Sequence, residues 1–534
     1  MGSINMIDVA ALTAADHADI KAAAHSGMLV AWHAARLGDT LAVQSNYSSL
    51  TWRELNNRCN QIAYRLREAG LNAGDSVAIV AKNRPEFIEV FCAAHRAGLR
   101  FTPINFHLKG EEIGYIVDNC EAKAFIADAE LGGPPIEAID SAPGVVLKLS
   151  VGGHLDGFQP LDEWLSGAPV TDIDNPCIGS RMLYTSGTTG RPKGVFKATA
   201  EVEMPDWQEE SPLHYIPGVD RNLCTGPAYH AAPLAFDISR PLVSGAGIVL
   251  MDKWDAAETL RLIDEEQITH THMVATMFHR LLKLPDATKA QHDLSSLKLV
   301  MHGAAPCPVH VKQAIIDWFG PIVWEYYAAT EGGGGFLVGS EEWLRKPGTV
   351  GKPGPEFDNK ILGDDGNPVA VGEPGTIYMR APKVGRFEYF KDNTKTNKSY
   401  RGDYFTLGDM GYFDADGYLF LTGRSAELII SGGVNIYPQE IDSVILQHPA
   451  VLDVCTVGIP NDEWGEEVLS VVQLNSGYTP GPALGEELIN WAREHLANFK
   501  CPRRILYSED LPRLPSGKIQ RRHVRDEYIE KETA

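Results

Sequence analysis

Residues 184–195 read YTSGTTGRPKGV and continue the apolar run RMLY at 181–184. An apolar run that breaks into Thr185, Ser186, Gly187, Thr188, Thr189 and Gly190 predicts a strand followed by a loop whose hydroxyls and backbone N–H groups can wrap a polyphosphate. Lys193, held after Pro192, adds a point charge that offsets negative charge on the β and γ phosphates of a nucleotide. The stretch is not the P-loop of nucleotide hydrolases. That loop needs Ser or Thr directly after its lysine, and here Gly194 follows Lys193.

On both sides the sequence predicts alternating strands and helices. Upstream, SVAIVAKN from residue 76 reads as a strand. A helix opened by Pro85 follows, with Phe87, Val90, Phe91 and Ala94 on one face and its end at Gly98, and FTPIN is the next strand. Downstream, LKLVMH from 297, a Pro308-initiated helix to Gly320 and the strand IVWEYY repeat that order. The expected fold class is α/β, with a large N-terminal domain of doubly wound βαβ subdomains. After residue 375, TIYMR and GYFDADGYLFLTGR predict a β-rich subdomain with a hairpin turn at Asp416-Gly417. Beyond 426 come LIISGG, a helix from Pro438 to about His448, strands near DVCTVGI and EVLSVVQL, a helix over EELINWAREHLA and a basic tail. These make a small α+β domain at 427–534.

Composition narrows the function. A chain of 534 residues is too long for one compact core. A net charge of −22 argues against a surface for nucleic acid, whose phosphates would need a basic face. The opening residues carry acids where a secretory leader needs a basic start and an apolar run. Met6 stands where a myristoylation signal needs Ser or Thr, and nowhere do eighteen apolar residues follow one another. A cytoplasmic protein without a transmembrane segment is expected. The eight cysteines occur singly with no CxxC pair, which predicts small buried side chains in a reducing compartment, and none is nominated as a nucleophile.

The stretch at 184–195 resembles the signature loop of the adenylate-forming (ANL) superfamily of acyl-CoA synthetases, peptide-synthetase adenylation domains and luciferases, and further elements follow in that superfamily's order as far as Lys518. EYYAATEGGGG at 325–335 is similar to an element that implies Tyr327 stacking on adenine, Thr330 near the phosphate and Glu331 as a carboxylate for Mg2+. HGAAPCP at 302–308 resembles a loop lining adenine and substrate, with Gly303, Ala304 and Ala305 permitting close backbone approach. LGDMGYF at 407–413 resembles the ribose-binding element, with Asp409 accepting both hydroxyls. In GPAYHAAPLAF, Tyr229 and His230 occupy the place of an element at the wall of the acyl pocket.

GRSAELIISGGVNIYPQEID at 423–442 resembles the junction between two domains. It implies Arg424 reaching ribose and phosphate, and a hinge near 424–427 between an adenylation domain at 1–424 and a mobile domain at 427–534. It also implies Ser431, Gly432 and Gly433 lining a pantetheine tunnel once the small domain has swung. Ala426 stands where the superfamily has Asp or Lys, and Ala328 where it has Gly. LPRLPSGKIQRR at 511–522 resembles the last element, whose lysine, here Lys518, enters the site for the first half-reaction and leaves for the second.

The resemblance implies an AMP-forming acid–CoA ligase using ATP, Mg2+ and coenzyme A. A carboxylate attacks the α-phosphorus to give an acyl-adenylate and pyrophosphate, and a thiol then expels AMP. Lys193, Lys518, Thr330, His230 and Glu331 are the implied catalytic residues. The glycine run 332–335 is expected to leave room for a medium or long fatty acid, or a ring-bearing acid of similar bulk. Two alternatives stand beside this reading. An amino-acid-adenylating enzyme would use Asp237 of FDIS at 236–239 to hold an α-ammonium, although the chain ends at Ala534 without a carrier domain. An inactive nucleotide-binding relative would be expected to lack Lys518, Glu331 or the hydroxyl loop. A homodimer is the expected assembly.

Overall fold

The computed structural model describes residues 7–185, 192–199, 201–209, 211–432, 434–461, 463–514 and 517–533. The first predicted βαβ unit folds as read: Ser76–Val80 and Arg100–Ile104 pair in parallel, Ser76 opposite Arg100, around the helix Pro85–Arg96 with proline in its first turn. Every residue of both strands is buried, as a parallel sheet covered on both faces requires. This unit lies at the centre of an eight-stranded sheet. The sheet runs from Phe387–Tyr389 through Lys193–Lys197, Ser180–Thr185 and the βαβ pair to Ala122–Asp128, Leu147–Val151 and Gln159–Pro160.

The second unit, Leu299–His302, Val309–Phe319 and Val323–Ala329, belongs to a nine-stranded sheet. Strand Leu41–Gln44 of that sheet leads through Ser49–Thr51 into helix Trp52–Glu68. There Thr51 and Glu54 form a reciprocal capping box. The two sheets share one core, in which Phe87, Phe101 and Ile79 of the first meet Leu234, Ile238 and Leu250 of the second. Each such side chain contributes roughly 1.5–3 kcal/mol by leaving water.

A mostly antiparallel third sheet contains Asn359–Leu362, Gly375–Arg380, Asp409–Phe413 and Leu419–Arg424, the last two joined by the turn in which Gly417 takes φ +84°. Strands from Ile429 onward form a separate five-stranded sheet, built on the long hairpin of Val451–Asn461 and Gly465–Leu474. The helix predicted to reach His448 stops at Ile445, and the basic tail is a helix, Arg521–Thr533. A further strand, Arg504–Tyr507, pairs in parallel with Gly465–Leu474.

The last helix is pinned by Arg521. Its buried guanidinium meets Asp442 Oδ2 at 2.5 Å and the Thr456 carbonyl at 2.9 Å, and lies 3.3 Å from Glu427. Removing one partner of a buried pair leaves the other charge stranded. Arg521→Ala is therefore expected to lower stability by about 3–5 kcal/mol, seen as an earlier C-terminal transition in urea unfolding of the full chain.

Candidate active site

Both ends of the hydroxyl-rich stretch are fixed by one strand register. Ser180–Thr185 and Lys193–Lys197 are antiparallel, and Thr185 faces Lys193 across the pair. Ser186, Gly187, Thr188, Thr189 and Gly190, assigned to phosphate from the sequence, lie outside the described residues, as does Gly433.

Thr330 and Glu331 form the turn of a hairpin in which Ala329 pairs with Gly332, and a bulge at Tyr327/Ala328 re-aims the strand just before it. The Glu331 carboxylate is held through one oxygen, which accepts the Tyr389 hydroxyl at 2.8 Å. A carboxylate fixed in this way at a turn suits Mg2+, which takes hard oxygen ligands and completes its shell with phosphate and water. Among the described residues no group of three or more His, Cys, Asp or Glu is arranged to hold a metal.

Asp409 gathers two more of the sequence-assigned residues. Its Oδ2 accepts the Tyr327 hydroxyl at 2.9 Å and its Oδ1 lies 2.9 Å from Arg424 Nε, with Asp409 and Arg424 opposite each other in the sheet. The sequence reading assigned Tyr327 to adenine by its ring alone; its hydroxyl also buttresses Asp409. Tyr389 and its hold on Glu331 were missed, because an aromatic residue in a short strand carries no signal of its partner.

The loop at 303–305 comes close to its neighbours. A Cβ on Gly303 would lie 2.5 Å from the Tyr326 ring and 2.7 Å from its carbonyl. Ala304 has φ +65°, a conformation that costs a non-glycine residue of the order of 1–3 kcal/mol and is found where function demands it. The glycine run corrects the expectation of open space. Residues 332–335 lie in strand Gly332–Gly339. A Cβ at Gly335 would meet the Phe357 ring at 2.1 Å, and one at Gly334 would meet Phe336 and Asn359 at 2.5 and 2.6 Å. Side chains from neighbouring segments already fill the room that these two glycines leave.

His230 is half-buried beside Tyr229, with ring centroids 4.4 Å apart. Its Nε2 is sealed from solvent without a hydrogen-bond partner, and burial holds the imidazole down to about 4, so it is neutral at pH 7. Residues Pro233–Ser239 immediately after it form a π-helix, a form that often marks a functional site. Asp237, on that turn, is fully buried. It accepts from Asn222 Nδ2 at 3.0 Å and from the His272 backbone at 3.1 Å, and burial raises its carboxyl well above the usual range. Both bonds fall on Oδ1, while Oδ2, also sealed from solvent, has no hydrogen-bond partner.

Lys518 comes from the small domain. The turn before it is tight: Gly517 has φ +78°, and a Cβ there would lie 2.8 Å from Thr276 Oγ1 and 2.9 Å from Val274 of the large domain. Arg513 braces the turn, donating to the Gly517 carbonyl at 2.7 Å and gripping Asp453 through two nitrogens. Burial, then the neighbouring Arg424, lowers the Lys518 ammonium below the ordinary lysine range, while Glu427, Asp409 and Glu331 oppose the shift. Two of these groups, Asp409 and Arg424, also act on Tyr327. A cavity of ≈ 190 Å³ adjoins it, walled by Thr276 and Ala305 on one side and Asp442 and Arg513 on the other. Ser431 and Gly432 lie elsewhere, on the hairpin between Ile429–Ser431 and Val434–Ile436, where a Cβ on Gly432 would meet Trp464 at 2.7 Å.

Residues 30–387 match the AMP-binding enzyme family and residues 440–518 match the AMP-binding enzyme C-terminal domain. The chain belongs to the AMP-binding enzyme family. It is 31% identical to a feruloyl-CoA synthase from Amycolatopsis sp, over 91% of this chain and 96% of that one. It is 30% identical to the long-chain-fatty-acid–CoA ligase FadD13 of Mycobacterium tuberculosis, over 90% and 93%. Among solved structures, the anthranilate CoA ligase AuaEII in complex with anthranoyl-AMP superposes with a TM-score of 0.84 at 25% identity, covering 95% of this chain and 98% of that one. Among the described residues of this family member, no helix is long and apolar enough to cross a membrane.

Asp409 links Tyr327 and Arg424, and hydrogen bonds to a charged group contribute about 1.5–3 kcal/mol. Asp409→Ala is expected to weaken ATP binding about 10- to 150-fold, measured by titration calorimetry.

Proposed function

We propose that the chain is an AMP-forming acid–CoA ligase working in two half-reactions, with Lys518 as the residue that switches between them. The observation that carries this reading is the seat of Lys518: a braced turn of the small domain lies against Thr276 and Val274 of the large one, and Arg424, Asp409 and Glu331 act on the buried ammonium as nearby charges. In the first half-reaction an acid carboxylate oxygen attacks the α-phosphorus of ATP. The bond to the β-phosphate oxygen breaks, and pyrophosphate leaves with the electron pair. Lys518 offsets charge on the attacking carboxylate and the α-phosphate, Lys193 and the hydroxyl loop hold the β and γ phosphates, and Thr330 lies beside them. Asp409 holds the ribose, with Tyr327 and Arg424 fixing its carboxylate. Glu331 would hold Mg2+, which when bound would supply charge neutralisation to the phosphates.

In the second half-reaction the coenzyme A thiol attacks the acyl carbon and AMP leaves. The stretch 424–427 is the proposed hinge between a domain at 1–424 and one at 427–534. Rotation there withdraws Lys518 and brings the Ser431–Gly432 turn to the pantetheine. No protein nucleophile is required, and the eight cysteines are all unpaired, six of them buried.

The acid is proposed to be ring-bearing or a medium to long fatty acid, seated against His230, Tyr229 and the 303–305 loop. The feruloyl, anthranilate and long-chain relatives support that range. A neutral His230 with an unpartnered nitrogen can orient a polar group on such an acid. The full burial of Asp237 speaks against the amino-acid-adenylating alternative. The proposed setting is the cytoplasm, and the proposed assembly a homodimer.

Lys518→Ala is expected to cut pyrophosphate release about 100- to 1,000-fold while sparing thioester formation from supplied acyl-adenylate; equal loss of both steps would remove the assignment. The cationic form is the active one and its pKa is lowered, so kcat/KM for the first step should fall as pH rises through a value below the ordinary lysine pKa of about 10.4. The whole reading is tested by incubating the enzyme with Mg-ATP, coenzyme A and a panel of aryl, fatty and amino acids. Acyl-CoA and AMP are expected by mass spectrometry with ring-bearing or fatty members, and AMP formation with none of them would overturn it.

A further inference from the structure

A second lysine stands beside Lys193. The strand Lys193–Lys197 pairs with Phe387–Tyr389, Val195 opposite Tyr389, and the Phe390 N–H donates to the Gly194 carbonyl at 2.8 Å. That pairing sets the following helix, Asn393–Ser399, against the outgoing end of the hydroxyl-rich stretch. The helix is started by Asp392, whose carboxylate accepts the Lys395 backbone N–H at 2.9 Å. The Lys395 side chain then crosses the Tyr389 ring, with Nζ 4.5 Å from its centroid, on the tyrosine whose hydroxyl holds Glu331. Lys193, on the strand paired with Phe387–Tyr389, is near enough for its charge to act on this ammonium.

Two ammonium groups side by side repel, and the repulsion grows as water is removed. Among the described residues neither makes a salt bridge; Glu331 and Asp392 act on Lys395 only as nearby charges. Burial and Lys193 hold the Lys395 ammonium down to about 8, as expected where a cation has been placed without its counter-charge. An anion with several oxygens, seated between the two lysines and next to Glu331, would resolve the arrangement.

We propose that Lys395 is a further phosphate-binding residue that, with Lys193, grips the β and γ phosphates of ATP and stabilises pyrophosphate as it leaves. The proposal rests on the adenylate-forming reading of the site and adds to it a contact confined to the two phosphates that depart. As the bond between the α-phosphorus and the bridging oxygen breaks, that oxygen gains a full negative charge. A cation contributed by the helix is then worth more in the transition state than in the bound substrate. A purely structural lysine, packing its stem on Tyr389, would affect all ligands of the site alike.

The test uses the full chain without any acid, so that it does not depend on substrate identity. Binding of inorganic pyrophosphate with Mg2+, and separately of AMP, is followed by calorimetry for the unaltered protein, Lys395→Met and Lys395→Arg. Methionine keeps most of the stem on the ring. Lys395→Met is expected to weaken pyrophosphate tenfold or more and AMP less than twofold, and Lys395→Arg to restore most of the pyrophosphate affinity. Unchanged pyrophosphate binding, or equal weakening of pyrophosphate and AMP, would overturn the proposal while leaving the ligase reading intact. Failure of the unaltered protein to bind either ligand would overturn both.

Discussion

The carboxylate of Asp409 receives the Tyr327 hydroxyl on one oxygen and the Arg424 guanidinium on the other, and three parts of the molecule meet there. Tyr327 belongs to the nine-stranded sheet, Asp409 and Arg424 to the antiparallel third sheet, and the chain leaves for the small domain directly after Arg424. A charge held in this way adds a polar tie to an apolar one. The first doubly wound core does not extend to the third sheet, but the cluster around Ile377, Phe405 and Leu419 also takes in Phe336 of the nine-stranded sheet and Val195 of the eight-stranded one.

Around that anchor the site is assembled from turns. Thr330 and Glu331 form a hairpin turn, Ala304 sits in a left-handed bend, and Lys518 follows Gly517 in another. Each turn is positioned by a rigid strand or strand pair beneath it, the usual economy of an α/β enzyme whose chemistry lies at strand ends. Some buried charges away from this site are paired with one another. Lys312, with no exposure, meets Glu325 at 2.5 Å, and Arg84 bridges Glu86 and Asp128.

Local patterns made much of this readable from the residues. The βαβ units followed from apolar runs, helix-initiating prolines and closing glycines, and the hairpin at Gly417 from an Asp-Gly pair. The roles expected of Thr330, Glu331, Asp409 and Lys518 rested on the order of short elements along the chain. What could not be read depends on contacts distant in sequence. Phe357 fills the face of Gly335 from a loop outside the glycine run, so four glycines looked like space. Within the π-helix Pro233–Ser239, Asp237 is bonded to Asn222 and the His272 backbone, contacts of which an apolar stretch carries no mark. Lys395 lies some 200 residues from Lys193, and only the pairing of their strands brings them together.

Arg424 is both a ligand of Asp409 and the last residue of its strand before the chain turns through Ser425–Glu427. Glu427 in turn touches Arg521, the buried anchor of the final helix. Four side chains, Asp409, Arg424, Glu427 and Arg521, thus span the joint with no more than two intervening residues between the two that sit on it. The chain leaving the third sheet is thereby tied on both sides of Ser425 and Ala426, by Asp409 before them and by Arg521 after them.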